Sequence, residues 1–69
     1  METIVVTING EQREIPAGLT VAGLLEHLKL KQTTAIVEHN LVILKIREHD
    51  TVEVREGDKL EIVRFVGGG

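Results

Sequence analysis

The residue types that carry most side-chain chemistry are scarce in this sequence. It contains no Cys, Ser, Tyr or Trp, a single Phe (Phe65) and a single Pro (Pro16). Without Cys there is no disulfide, no thiolate metal ligand and no thiol nucleophile. Without Ser the other common hydrolytic nucleophile is missing too. The Thr residues that remain read as strand formers in a chain rich in β-branched side chains. One aromatic ring cannot build a stacking platform for single-stranded nucleic acid. His27, His39 and His49 stand apart, with no H-x-x-x-H pair, and no metal site is expected. Neither G-x-G-x-x-G nor G-x-x-x-x-G-K-[ST] occurs, which excludes phosphate cradling by a glycine loop. The longest apolar run is Leu41, Val42, Ile43 and Leu44, far short of a membrane span, and the first residues do not read as a signal peptide. An enzyme is not expected from these residues.

What is present describes one small folded unit. The 69 residues are 42% hydrophobic and 28% charged, with net charge −3. That composition folds, but a chain this short buries only about 60% of its unfolded surface, too little for a deep enclosed active site. No cluster of Lys or Arg stands out, which argues against nucleic acid or an anionic membrane as partner. The expectation is a cytoplasmic domain over residues 1–66 with a flexible glycine tail at 67–69.

Residues 2–8 are rich in β-branched side chains, with Ile4, Val6 and Ile8 on one face. Asn9-Gly10 supplies the two positive-φ positions of a type I′ turn, which sets Ile8 opposite Glu11 and Ile4 opposite Ile15. Pro16-Ala17-Gly18 ends the second strand. Thr20 is a candidate N-cap, and Val21, Leu24, Leu25 and Leu28 form an amphipathic stripe. The helix is expected to stop around Leu30, with Lys29 and Lys31 suiting its C-terminal dipole. Gly23, a poor helix former, is expected where the helix sits close to the sheet. Thr34 to Val37 reads as a third strand followed by a turn at His39-Asn40. Residues 41–50 show no clear period. Thr51 to Val54 reads as a short strand, Glu56-Gly57-Asp58 as a turn, and Leu60 to Phe65 as the last strand. Together these make an α+β fold, a mixed sheet of four to five strands with one main helix packed on one face.

The last strand runs directly into Val66-Gly67-Gly68-Gly69. Three successive residues without Cβ pack nothing and permit close approach of backbone to other groups. Asn9-Gly10, the segment Thr20-Val21-Ala22-Gly23-Leu24-Leu25, Glu56-Gly57-Asp58 and the run from Glu61 to Gly69 together resemble the ubiquitin-like β-grasp sulfur carriers of the ThiS/MoaD family. The nearest likeness is to its thiamine-biosynthesis branch. The chain departs from the family pattern after the third strand. Where members often carry Asn-Gly, Pro-Arg and an aromatic residue, it has Asn40-Leu41, Leu44-Lys45 and Glu48-His49.

The resemblance implies a ubiquitin-like β-grasp fold and a function carried by the C-terminus rather than by catalytic side chains. Gly69 would be adenylated by an E1-like adenylyltransferase of the ThiF type, which uses ATP and magnesium; the carrier itself binds no cofactor. A cysteine desulfurase or similar donor system would supply sulfur, and the Gly69 thiocarboxylate would pass it to a thiazole synthase of the ThiG type. Gly67 and Gly68 would allow insertion of the tail into a partner. Period two places Leu60 and Ile62 toward the helix and Val63 and Phe65 on the uncovered face. Val5, Val63, Phe65 and Val66 are therefore expected to form an apolar docking surface for partners. Sulfur carriage for molybdopterin or tRNA thiolation, and protein modification of the ubiquitin kind, would use the same activation chemistry.

Overall fold

The computed structural model describes residues 2–64. Met1 and the expected site residues Phe65, Val66, Gly67, Gly68 and Gly69 lie outside them, and with these the expected tail. Five strands, β1 (Thr3–Ile8), β2 (Glu11–Pro16), β3 (Ala35–His39), β4 (Val42–Ile43) and β5 (Lys59–Arg64), form one sheet in the order β2-β1-β5-β3-β4. One α-helix, α1 (Val21–His27), packs on one face. This is the mixed sheet with a single main helix that the pattern of elements predicts.

Two antiparallel hairpins flank β5, which pairs parallel with β1 and antiparallel with β3. The first hairpin has the expected register, Ile4 opposite Ile15 and Ile8 opposite Glu11. Alternation then sends Val6, Ile8, Ile15, Leu60 and Ile62 to the helix side, where they pack with Val21, Leu24 and Leu25 from α1. Burying each such aliphatic side chain contributes about 2 kcal/mol, and the helix is held mainly by this contact because seven residues are too few to be stable alone.

α1 begins as expected. Thr20 is extended at φ −81°, and its Oγ1 accepts from the Gly23 amide at 3.1 Å. The end comes earlier than the apolar stripe suggests. Lys29 takes φ +63°; its amide donates to Glu26 O at 3.0 Å and the Leu30 amide to Leu25 O at 2.8 Å. These two bonds are the Schellman arrangement, which closes a helix at the residue before the left-handed one. Leu28 and Leu30 still reach the core, but from the cap and the turn beyond it. Gly23 does not mark an approach to the sheet: a Cβ there would meet Leu19 Cδ2 at 3.3 Å and the cap hydroxyl of Thr20 at 3.6 Å.

Three other expectations shift. Thr34 closes a 3-10 turn (Gln32–Thr34), and the third strand begins one residue later. The turn after it is centred on Asn40 and Leu41, with φ 48° and 74°, rather than on His39-Asn40. Residues 51–54 form no strand. Val21 donates to Val52 O and Val54 to Leu19 O, both at 2.9 Å, so this segment pairs with the connection into α1 instead of with the sheet. The fifth strand is β4, from the stretch without clear period.

Candidate functional site

The stretch that leads to the glycines is β5, and the structure holds it from both sides by the same device. Asn9 and Asn40 are each the first residue of a two-residue hairpin turn, and each has positive φ, which Asn tolerates better than most residues. Asn9 lies beside β5: its amide donates to Leu60 O at 2.9 Å. The Ile62 amide donates to Asn9 Oδ1 at 2.7 Å, and Asn9 Nδ2 donates to Ile62 O at 3.1 Å. Asn40 mirrors it on the opposite side of β5. Its amide donates to Lys59 O at 2.8 Å, and the Lys59 amide donates to Asn40 Oδ1 at 2.9 Å. Side-chain amides thus continue the ladder where the flanking backbones turn away. Beyond Ile62, β5 keeps its pairing with β3, up to Ala35 opposite Arg64.

The approach to β5 is fixed by Asp58. Gly57, at φ +84°, makes the turn possible. Asp58 Oδ2 accepts from the Arg55 amide at 2.9 Å and lies 2.7 Å from His39 Nε2, while Oδ1 accepts from Asn40 Nδ2 at 3.3 Å. Burial pushes the carboxyl upward, but the hydrogen bonds from Arg55, His39 and Asn40 outweigh it and hold Asp58 below its ordinary value. Sequence reading took this residue only as part of a turn.

The expected docking residues separate. Val5 and Val63 both face away from the helix, and both are exposed, at 38% and 58%. They are not neighbours. Val5 lies level with Gly57, whose amide donates to Val5 O at 2.9 Å. Val63 is six positions farther along the parallel neighbour, about 20 Å away at the rise of a strand. The residue beside Val63 is Ile36, its partner across β3 and β5 and 47% exposed. Glu38 faces Glu61 two pairs farther along, with Ile43 of β4 beyond. Ile36 and Ile43 were missed by sequence reading because their facing depends on the β3 register. Like charges directly opposed on a sheet are unfavourable by themselves.

His49 is fully buried, and neither ring nitrogen has a hydrogen-bond partner among the described residues. No group of three or more potential metal ligands forms among those residues. No helix among them is long and apolar enough to cross a membrane.

Comparison with known proteins adds to this geometry. Residues 6–69 match the sequence profile of the ThiS family. The chain is 47% identical over 62 residues to a thiazole synthase of Paramagnetospirillum magneticum, a match covering 90% of this chain and 19% of that protein. It therefore spans about a fifth of the length of that relative. It is 40% identical over 50 residues to the sulfur carrier protein ThiS of Bacillus subtilis, covering 72% of this chain and 76% of the other. The crystal structure of the thiamine biosynthesis protein ThiS from Geobacter metallireducens superposes with a TM-score of 0.80 at 33% identity. That match covers 96% of this chain and all of the other.

Proposed function

The chain belongs to the ThiS family, and on that premise we propose that it is a sulfur carrier of thiamine biosynthesis that works through Gly69. The observation that carries this reading is the placement of β5, bracketed by Asn9 and Asn40 and followed in sequence by Phe65, Val66, Gly67, Gly68 and Gly69 within the family match. A terminal carboxylate is ionised at neutral pH, with a pKa of about 3.5, and is a poor electrophile. An E1-like adenylyltransferase would join it to the α-phosphate of ATP with loss of pyrophosphate, the magnesium serving that partner. A persulfide sulfur, derived from cysteine by a desulfurase, would then displace AMP, and a thiol would cleave the acyl disulfide to leave the thiocarboxylate.

That sulfur is a soft nucleophile suited to an electrophilic intermediate on thiazole synthase. Likeness to a segment of a thiazole synthase favours that acceptor. The reading makes the chain a carrier acting in the cytoplasm, with catalytic groups supplied by its partners. Gly67 and Gly68 provide the thin segment that enters a partner's channel, and Phe65, Val66 and Val63, with Ile36 beside Val63, form the apolar contact behind it.

Deleting Gly69, or Gly68 and Gly69, should leave the melting temperature unchanged and abolish sulfur loading. Intact-mass measurement after incubation with the activating enzyme, ATP and a sulfur donor should show one oxygen exchanged for sulfur in the full chain only. A truncated chain that still gains sulfur, or a full chain that never does, refutes the reading.

A further inference from the structure

The helix side of the sheet is only partly covered. Each long strand has six residues and α1 has seven, so the strands run about 20 Å while the helix spans only about 10 Å. Past its Schellman end lies an open groove of about 540 Å³. Its floor is apolar, made by Ile8, Ile15, Leu28, Leu30 and Ile62. Its rim is cationic: Arg13 comes from β2, Lys29 from the helix end and Arg64 from the last described position of β5, with His27 beside them.

The charge here is opposite to that of the chain as a whole. Net charge is −3, yet the groove sets three Lys or Arg against one carboxylate, Glu14, whose Oε2 already accepts from Thr3 Oγ1 at 2.7 Å. Among the described residues the ion pairs are His39–Asp58 and Arg55–Glu53, so none of the three cations is paired within that set. Lys29 also occupies a left-handed backbone position, φ +63°, where a glycine is the unstrained choice. A strained residue that presents charge to a groove points to use of that charge.

We propose that this groove is an interaction site for a short acidic segment of a partner protein, carboxylates on the cationic rim and an aliphatic side chain on the floor. The cavity has the size of a small-ligand or peptide side-chain site. It is too small to supply the roughly 800 Å² per partner of a stable dimer between copies of this chain. Arg64, the last described residue of β5, joins the groove to the end of that strand. The inference rests on the sulfur-carrier reading only in taking a tail-handling protein as the source of the segment.

The test is a titration of the full, isotope-labelled chain with a capped Asp-Leu-Glu-Leu peptide, followed by backbone amide shifts. Shifts should centre on Ile8, Asn9, Ile15, Leu28 and Ile62. The dissociation constant should rise about tenfold in the double variant Arg13→Glu/Lys29→Glu, and similarly in Arg64→Glu with Lys29→Glu. The substituted residues Arg13, Lys29 and Arg64 are all exposed, so the fold is retained. Absent shifts, shifts insensitive to charge reversal, equal binding of a Lys-Leu-Lys-Leu peptide, or shifts confined to Ile36 and Val63 overturn the inference. Loading of the wild-type chain by the activating enzyme is scored separately. Loading without groove binding removes this inference alone; groove binding without loading removes the sulfur reading and leaves the groove.

Discussion

The two hairpins use one backbone solution with two different sequences. Both turns have two residues at positive φ: Asn9 and Gly10 at 52° and 83°, Asn40 and Leu41 at 48° and 74°. The Asn is common to both because its side chain bonds β5, which no other residue at that position would do equally well. The second position has only a backbone requirement. Gly10 meets it freely, with nothing within 4 Å of where a Cβ would stand. Leu41 meets it at a cost of about 1–2 kcal/mol while remaining 88% exposed. The difference shows that the second hairpin is imposed by its strand pairing and by the Asn40 clamp, not by turn propensity. It is also where the sequence resemblance would have Asn-Gly, and the departure leaves the turn in place.

The clamps should be the hardest part of this comparison to break. Asn9→Ala strips partners from both polar backbone groups of Ile62, a buried residue, and should cost about 3 kcal/mol by chemical denaturation. Asn40→Ala removes the corresponding bond to the more exposed Lys59 and should cost about 1.5 kcal/mol. Equal losses would show that the burial difference between the two sides of β5 has no energetic weight.

The second hairpin is bonded to Asp58, a carboxylate held below its ordinary value, so pH should separate the two. Asp58 is held below its ordinary value near 3.8. Its contribution is therefore complete above a pH of about 4 and is lost as pH falls through the lowered folded value, because the unfolded chain binds the proton first. Asp58→Asn should lower stability by about 1 kcal/mol at pH 7. The gap to wild type should close as the pH of thermal melts is taken from 5 to 2. A gap that is constant over that range would mean the Asp58 charge is not what holds the turn.

The smallest effect is the exchange at the second turn position. Leu41→Gly should stabilise by about 0.5–1 kcal/mol, the relieved strain less the entropy glycine adds to the unfolded chain. Gly10→Leu should destabilise by a similar amount. Opposite signs in paired melts sharpen the comparison; a loss for Leu41→Gly would show that Leu41 makes a stabilising contact that outweighs its strain.

What was legible from the sequence alone was what is encoded locally. The alternation of Ile4, Val6 and Ile8 with Asn9-Gly10 determined the first hairpin and its register. Thr20 followed by Val21, Leu24 and Leu25 determined where the helix begins and which face it buries. Gly57 determined a turn, and the terminal glycines with their flanking motifs pointed to the family. The helix end was not legible, because Lys29 in a left-handed conformation contradicts its own propensity and is held there by the closing bonds of the Lys29 and Leu30 amides. Nor was the short β4, whose two residues carry no period, or the distance between Val5 and Val63, which depends on a parallel pairing across some fifty residues. The bonds between Asn9 and Ile62, 53 positions apart, and the meeting of Arg13, Lys29 and Arg64 exist only once β5 is seated between the hairpins. Local signals need only neighbouring residues, whereas these features need the whole sheet to close first, and tertiary structure alone decided them.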